Sequence, residues 1–149
     1  MNGEGTHRDG NHKFFIILRI SSKEEQIKAG KMALFDFLGD LTNYEQLMPE
    51  QITDWDAEKD RFRFSVPGMT EIGMKLSEVK RYERIVLLPD GKAPFDFSLS
   101  FIISTDDDIQ RVQIIFDAEM PAMFSMMAKR PLQNLIDHMI GSLNNNFQV

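Results

Sequence analysis

The fold of this chain is decided by residues 95–120, which read FDFSLSFIISTDDDIQRVQIIFDAEM. Apolar side chains alternate with mostly polar ones in both halves of this stretch, and the aspartates at 106–108 separate the halves. A period of two indicates β-strands with one buried face, because successive side chains of a strand point to opposite faces. A link this short joins antiparallel neighbours, so the stretch predicts a hairpin. The apolar positions are Phe95, Phe97, Leu99, Phe101, Ile103, Val112, Ile114, Phe116, Ala118 and Met120.

The same alternation extends upstream of this hairpin. It recurs at residues 62–66 and 72–76, and turn signals lie at 56–60, 67–68 and 90–91. The sequence therefore predicts a meander of about six antiparallel strands between residues 51 and 120. The β-rich run FFIILRI, residues 14–20, adds a first strand, and its strand character extends through Ile27 past a polar middle.

Two short helices are predicted between the first strand and the meander. Residues 31–38, KMALFDFL, carry apolar side chains at helical spacing and precede a glycine, which is a stop signal. A second helix is predicted to begin near Thr42, because Thr42 and Glu45 form the T-x-x-E pattern of a capping box. It ends before Pro49, since the residue preceding a proline is disfavoured in the α region.

Residues 122–147 form the one long helical segment of the sequence. Their apolar positions follow the i, i+3, i+4, i+7 spacing of a helix with one buried face, which predicts a cover for the apolar side of the sheet. Pro131 lacks a backbone donor and predicts a kink or break near residues 128–130. The apolar positions are Leu132, Leu135, Ile136, Met139, Ile140, Leu143 and Phe147.

Composition excludes several classes of protein. Cysteine is absent, so the chain has neither disulfides nor a thiolate metal site, and a reducing cytoplasmic location is expected. The net charge is −6 and no run gathers five or six like charges, which argues against a nucleic-acid partner. Residues 1–12 are polar and predict a flexible arm rather than a signal peptide, residues 13–149 predict a single domain, and no apolar run is long enough for an integral membrane segment.

Two stretches resemble a known superfamily. Residues 35–49, FDFLGDLTNYEQLMP, are similar to the short-helix segment of START-like (SRPBCC) proteins, and residues 129–143, KRPLQNLIDHMIGSL, resemble their final helix. This superfamily includes lipid-transfer domains, birch-pollen-type allergens and polyketide cyclases. The resemblance implies the α+β helix-grip fold, a curved antiparallel sheet of about seven strands around the C-terminal helix. It also implies a cavity between sheet and helix that holds hydrophobic ligands in many relatives, although a fold by itself does not determine function.

Few side chains suggest catalysis, and no motif for a cofactor or a metal ion occurs in the sequence. Two orientations of Glu78 fit the sequence: it continues the inward phase of its strand, or the strand ends or bulges there and leaves Glu78 exposed. A buried carboxylate needs a partner, and Arg84 is the partner that would make an inward Glu78 tolerable. Tyr82 lies two residues before Arg84, so the alternation predicts that both side chains point to the same face of the sheet. His138 is either a boundary histidine or a general base at the pocket, because histidine is the side chain best suited to that role near neutral pH.

The apolar interior predicts binding of a small apolar molecule. The methionines where the last strand meets the helix are either packing residues or an adaptable rim, and the phenylalanines could instead fill the cavity. Two alternatives stay open: a cyclase or hydratase-type enzyme, and a macromolecule-interaction module with a filled core and an exposed apolar patch. The predicted ligand-binding residues are Phe64, Met74, Leu76, Phe97, Phe101, Phe116, Met120, Met123, Phe124, Met127, Leu135 and Met139.

Overall fold

A computed structural model of the chain describes residues 3–8, 14–67, 71–93, 95–106 and 108–147. In this part of the chain nine strands form one antiparallel sheet, and a long helix covers it. The architecture is α+β with the helix-grip arrangement, as predicted; the two strands beyond the predicted seven are β1 and the short β3. The strands are β1 (Gly3–Arg8), β2 (Phe14–Ser21), β3 (Glu25–Lys28), β4 (Thr53–Glu58), β5 (Arg61–Ser65), β6 (Glu71–Lys80), β7 (Arg84–Pro89), β8 (Asp96–Asp106) and β9 (Ile109–Pro121).

The strand order is β1-β2-β9-β8-β7-β6-β5-β4, and β3 pairs with β9 beside β2. The predicted six-stranded meander is β4 to β9, in which each strand pairs with the next one along the chain. β2 and β3 both pair with the long strand β9. They are two strands and not one because the regular ladder is interrupted at Ser22, between them. The Ser22 N–H donates to the Ile114 carbonyl at 2.9 Å, and the Ile114 N–H donates to Ser22 Oγ at 2.9 Å.

Residues 3–8 differ from the predicted flexible arm. They form β1, which pairs with β2 in a register that runs from Gly3 opposite Arg19 to Arg8 opposite Phe14. Backbone groups make the hydrogen bonds of a sheet, so a polar, glycine-containing segment can join an edge without an apolar pattern. Residues 1–2 and 9–13 of the predicted arm lie outside the described residues.

The opposite edge of the sheet is β4, and its pairing with β5 is irregular. The register shifts between Thr53 and Asp56, and Asp54 lies in the left-handed region with φ 56°. Asp is one of the few residues other than glycine that adopt this conformation without a large steric cost. The ladder is regular only from Asp56 to Glu58.

The two short helices occupy the predicted positions. α1 spans Lys31–Leu38, and a 3-10 helix spans Leu41–Leu47 and ends before Pro49. The cap of the 3-10 helix differs from the prediction, because Asp40 and not Thr42 is the capping residue. The Asp40 carboxylate accepts hydrogen bonds from the Thr42 N–H at 3.1 Å and from the Thr42 hydroxyl at 2.6 Å. The hydrogen bond from Thr42 lowers the pKa of Asp40, since it stabilises the charged form.

The long helix α2 spans Ala122–Asn146 without interruption, so of the kink or break predicted near residues 128–130 the break does not occur. Pro131 has no N–H to donate to the carbonyl of Met127, four residues earlier. Met127 is an exposed residue, and water can satisfy its carbonyl there. The proline therefore costs the helix one internal hydrogen bond, at an exposed residue of the helix.

The core lies between α2 and the concave face of the sheet. α2 packs against β2, β3, β9 and the 3-10 helix. Phe97 stacks on Phe116 with ring centroids 5.4 Å apart, and Tyr44 contacts Phe62 at 5.5 Å and Phe101 at 5.7 Å. The predicted apolar ladders and the predicted helix face therefore meet, as the fold requires. The buried residues of α2 are Ser125, Ala128, Leu132, Leu135, Ile136, Met139, Ile140 and Leu143.

Candidate ligand-binding cleft

A cleft of about 390 Å³ opens where the middle of α2 meets two connecting segments. One segment follows the 3-10 helix, and the other follows β5. The volume lies in the range of roughly 300–1,000 Å³ that is usual for small-molecule sites. The cleft is lined by Pro49, Gln51, Ile52, Val66, Pro67, Pro131, Asn134, Leu135 and His138.

The wall of the cleft is apolar at its base and polar at its edge. Val66 and Leu135 are buried at its base, whereas Gln51, Asn134 and His138 are exposed. Among the described residues that line it, none is Lys, Arg, Asp or Glu. The cleft therefore offers apolar contact over most of its surface, and at one side it offers the hydrogen-bonding groups of two amides and one imidazole.

Local sequence explains how each element presents its side chains to the cleft. Met48, which precedes Pro49, is extended, so the chain leaves the 3-10 helix there and turns. The turn is closed by the Ile52 N–H, which donates to the Pro49 carbonyl at 3.1 Å. On α2, the cleft residues Pro131, Asn134, Leu135 and His138 are spaced i, i+3, i+4 and i+7, so they share one side of the helix.

Of the residues predicted to bind a ligand, only Leu135 lines the cleft. Leu76 and Phe124 are half-buried, while Met123 and Met127 are exposed. The outward direction of Met123 and Met127 differs from the predicted position at a cavity rim, because α2 turns its Ser125 and Ala128 toward the sheet instead. The remaining predicted residues pack in the core, and they are Phe64, Met74, Phe97, Phe101, Phe116, Met120 and Met139.

Glu78 and Arg84 form an exposed ion pair outside the cleft. The Arg84 guanidinium donates two hydrogen bonds to the Glu78 carboxylate, at 3.0 and 3.2 Å. The register of β6 shifts between Leu76 and Glu78, so the bulged alternative is the one observed. The hydrogen bond from Arg84 lowers the pKa of Glu78, which leaves this carboxylate ionised and poorly suited to proton transfer near neutral pH.

The other two catalytic candidates lie apart from this ion pair. The half-buried ring of Tyr82 packs edge-on against Phe35 with centroids 5.3 Å apart, and the ammonium of Lys31 lies 4.7 Å from its ring centre. His138 alone lines the cleft. The described residues hold no group of three side chains able to bind a metal ion. The predicted catalytic candidates are therefore not assembled in one site.

Most of the cleft residues escaped the sequence reasoning because they lie in connections without periodicity. Pro49, Gln51, Ile52 and Pro67 belong to no apolar ladder and no helical face, whereas Val66 is the last position of the ladder at residues 62–66. A usable signal existed in two prolines, since Pro49 follows the 3-10 helix and Pro67 follows β5. Prolines at the ends of elements hold a connection in a rigid conformation, and rigid connections commonly carry binding residues.

Comparison with known proteins identifies the fold. No protein-family model matches the chain, and no curated protein sequence matches it. A START superfamily protein from Mycobacterium smegmatis superposes with a TM-score of 0.61 at 17% identity, over 87% of this chain and 96% of that one. Norcoclaurine synthase from Thalictrum flavum, in complex with dopamine and hydroxybenzaldehyde, has a TM-score of 0.65 at 12% identity, over 89% and 87%. A conserved protein from Geobacillus kaustophilus has a TM-score of 0.62 at 11% identity, over 87% and 93%.

These similarities show that the chain has a START-like helix-grip fold. At such low identities they describe the backbone and carry no residue roles from one protein to another. No helix in the described part of the chain has the length and the apolar composition needed to cross a bilayer.

Proposed function

We propose that this protein binds one small, mainly apolar molecule in the cleft between α2 and the segments that follow the 3-10 helix and β5. The observation that carries the proposal is the cleft itself, which has about 390 Å³ of space, an apolar base and a polar edge. Ligand sites in proteins combine these features, because apolar walls supply affinity and a few polar groups fix orientation. We place this binding in the cytoplasm, since a chain without cysteine needs no oxidising compartment.

The polar edge indicates what the ligand carries. Gln51 and Asn134 each offer an amide that donates and accepts, and His138 offers a ring nitrogen of either kind. The matching ligand is an amphiphile, with an apolar body against Val66 and Leu135 and one hydroxyl, carbonyl or acidic end at the edge. The complex of norcoclaurine synthase with dopamine and hydroxybenzaldehyde supports the view that this fold accommodates small amphiphilic molecules.

The enzymatic alternative has less support. It requires two or more of its candidate side chains in one cavity, and only His138 lines the cleft, while Glu78 and Arg84 neutralise each other on the surface. A lone histidine can transfer a proton, but the cyclase or hydratase alternative requires a second candidate side chain beside it. Binding without turnover is therefore the function that the geometry supports best.

Filling the cleft tests the proposal. Asn134→Trp places an indole at the cleft from an exposed position, and Asn145→Trp places one on the same helix away from it. The protein purified from cells is extracted with organic solvent for mass spectrometry. Its binding of 1-anilinonaphthalene-8-sulfonate, a fluorophore with an apolar body and one anionic end, is titrated alongside.

We expect a co-purifying amphiphile in the wild type and in Asn145→Trp, and its loss from Asn134→Trp. The fluorophore affinity should fall by at least about tenfold in Asn134→Trp, since the indole excludes the ligand from an apolar contact worth about 1.4 kcal/mol or more. Empty extracts together with equal fluorophore affinities in all three proteins contradict the proposal.

A further inference from the structure

The first turns of α2 carry a group of exposed methionines, which we call the methionine patch: Met123, Met126 and Met127. Their exposed fractions are 80%, 82% and 66%, the highest among the large apolar side chains of the described residues. Folded proteins expose single apolar side chains routinely, but a contiguous group of them indicates a surface that binds a partner protein, a ligand or a membrane.

The three methionines are contiguous because of their helical spacing. Positions i, i+3 and i+4 of a helix are neighbours on its surface, and Arg130 at i+7 continues the same stripe. Phe124 holds this part of the helix to the sheet, since its ring lies 5.4 Å from that of Phe95. The patch therefore has a fixed position on the surface. On the same side of α2 it is followed by Pro131, which lines the cleft.

The first half of α2, which carries the patch, is positively charged although the chain as a whole is acidic. The net charge is −6, yet α2 has no Asp or Glu from Ala122 through Ile136, and its ionisable residues in that range are Lys129 and Arg130. Arg130 is exposed and forms no ion pair within the described part of the chain. The surface that complements an apolar patch with a cationic edge is apolar beneath a layer of negative charge.

A second copy of the chain is a poorer occupant of this patch. A stable dimer buries about 800 Å² and roughly 20–30 residues on each side, whereas the stripe has four residues. A two-fold contact between identical stripes would also desolvate Arg130 of both copies, and the stripe itself offers it no acidic partner. An anionic lipid surface has neither problem, because flexible methionines enter it at any spacing and its phosphates pair with arginine.

We propose that the methionine patch docks the protein on an anionic lipid surface. The three methionine side chains enter the boundary between headgroups and acyl chains, and Arg130 contacts lipid phosphate. The docking is peripheral and reversible, as expected for a small apolar patch with few cations. It stands independently of the ligand cleft, because vesicle binding needs no ligand.

Co-sedimentation with lipid vesicles tests this proposal. Wild type and the triple variant Met123→Ser, Met126→Ser, Met127→Ser are mixed with vesicles of phosphatidylcholine and with vesicles of phosphatidylcholine and phosphatidylserine in equal parts. We expect the wild type to partition onto the anionic vesicles, and the triple variant to lose at least about tenfold in partition coefficient. Arg130→Gln should lose about fivefold on anionic vesicles and little on neutral ones.

Met32→Ser is the matched control for the single variant Met127→Ser. Met32 is 60% exposed on α1, which lies near the β8–β9 hairpin, at the opposite end of β9 from the patch. Along the 13 residues of β9 this separation is roughly 40 Å. Met32→Ser should therefore bind vesicles as the wild type does, whereas Met127→Ser should bind more weakly.

Two results overturn the proposal. One is equal sedimentation of the wild type and the triple variant with anionic vesicles, and the other is a wild-type dimer in analytical ultracentrifugation that the triple variant abolishes. Circular dichroism of each variant confirms that the helix is retained, since exposed substitutions change stability little.

Discussion

Tyr44 is the largest fully buried side chain of the described residues, and its ring neighbours Phe62 and Phe101 are wholly apolar. Its hydroxyl donates a hydrogen bond of 2.8 Å to the Leu38 carbonyl, at the end of α1. The last carbonyls of a helix have no partner within the helix, so this bond satisfies one of them in the protein interior. Burial also raises the pKa of Tyr44, because the phenolate would lose its hydration.

Tyr44→Phe should therefore destabilise the protein by about 1–3 kcal/mol near neutral pH, since the Leu38 carbonyl stays buried without its donor. The difference from wild type should shrink above about pH 10. There the tyrosine of the unfolded chain loses its proton while the folded Tyr44 keeps it, and this favours the unfolded state of the wild type alone. Urea unfolding followed from pH 7 to pH 11 measures both effects.

The control for this substitution is Tyr82→Phe. Tyr82 is half-buried, and no hydrogen bond of its hydroxyl is found within the described residues. Its loss should change the free energy of unfolding by less than about 0.5 kcal/mol. Equal effects of the two substitutions would mean that the bond to Leu38 contributes nothing to stability.

Among the helices, α2 combines a structural cost with a role in the cleft. Pro131 deprives the helix of one internal hydrogen bond and also forms part of the cleft wall. Pro131→Ala should raise the free energy of unfolding by about 1 kcal/mol or more, because the N–H that alanine introduces at this position can donate to the Met127 carbonyl. The same substitution should weaken ligand binding, because the ring is removed from the wall. Thermal unfolding and fluorophore titration measure the two effects.

Gly141→Ala separates stability from binding in the same helix. A Cβ at Gly141 meets nothing within 4 Å, and the residue lies outside the cleft. It should stabilise α2 by about 1 kcal/mol through helix propensity and leave ligand affinity unchanged. If Pro131→Ala and Gly141→Ala changed ligand affinity alike, a general effect of helix stability would replace the wall contact as the explanation.

The positions of the long helix and of the strands could be predicted from the sequence, but the directions of some of their side chains were not predicted. The C-terminal half of α2 and the ladders of β8 and β9 followed directly from apolar periodicity. The direction of Met123 and Met127 was also available in principle, because counting back four and seven residues from Leu132 brings Ala128 and Ser125 to the buried side. Methionine composition suggested a pocket, but helical phase decides which way a side chain points.

The position of Glu78 was not available from its own strand. The alternation of Ile72, Met74 and Leu76 predicts an inward Glu78, and the bulge after Leu76 reverses that phase. A bulge depends on how two strands pair and leaves no mark in the alternation of one of them. The capping residue Asp40 shows the same limit at shorter range, since its neighbour Thr42 fits the capping pattern equally well.

Taken together, the sheet and α2 enclose a core of buried apolar side chains, and the proposed ligand lies in a cleft at the edge of that core. Tyr44 and Phe101 pack against each other within the core, with ring centroids 5.7 Å apart. The core could be predicted as apolar from the alternation of the strands, but the position of the cleft at its edge could not. The cleft residues come from separate connections and meet only in three dimensions.

Phe101→Ala tests this arrangement. The ring is fully buried, so its removal should cost about 3–5 kcal/mol of stability while the folded variant still binds the fluorophore with wild-type affinity. Ile102→Ala is the control, because Ile102 is the next residue of β8 and points outward. A large change in fluorophore affinity for Phe101→Ala would place the ligand in the core instead.

The irregular edge at β4 has a consequence for the protein at high concentration. An exposed strand edge can recruit a strand from another molecule and begin a growing cross-β stack. In β4 the shifted register and the left-handed Asp54 leave only the short run Asp56–Glu58 in regular geometry, and Asp54, Asp56 and Glu58 would bring like charges together between stacked copies. The irregular edge at β4 therefore hinders the first step of fibril growth. It also forms fewer backbone hydrogen bonds than a regular strand would.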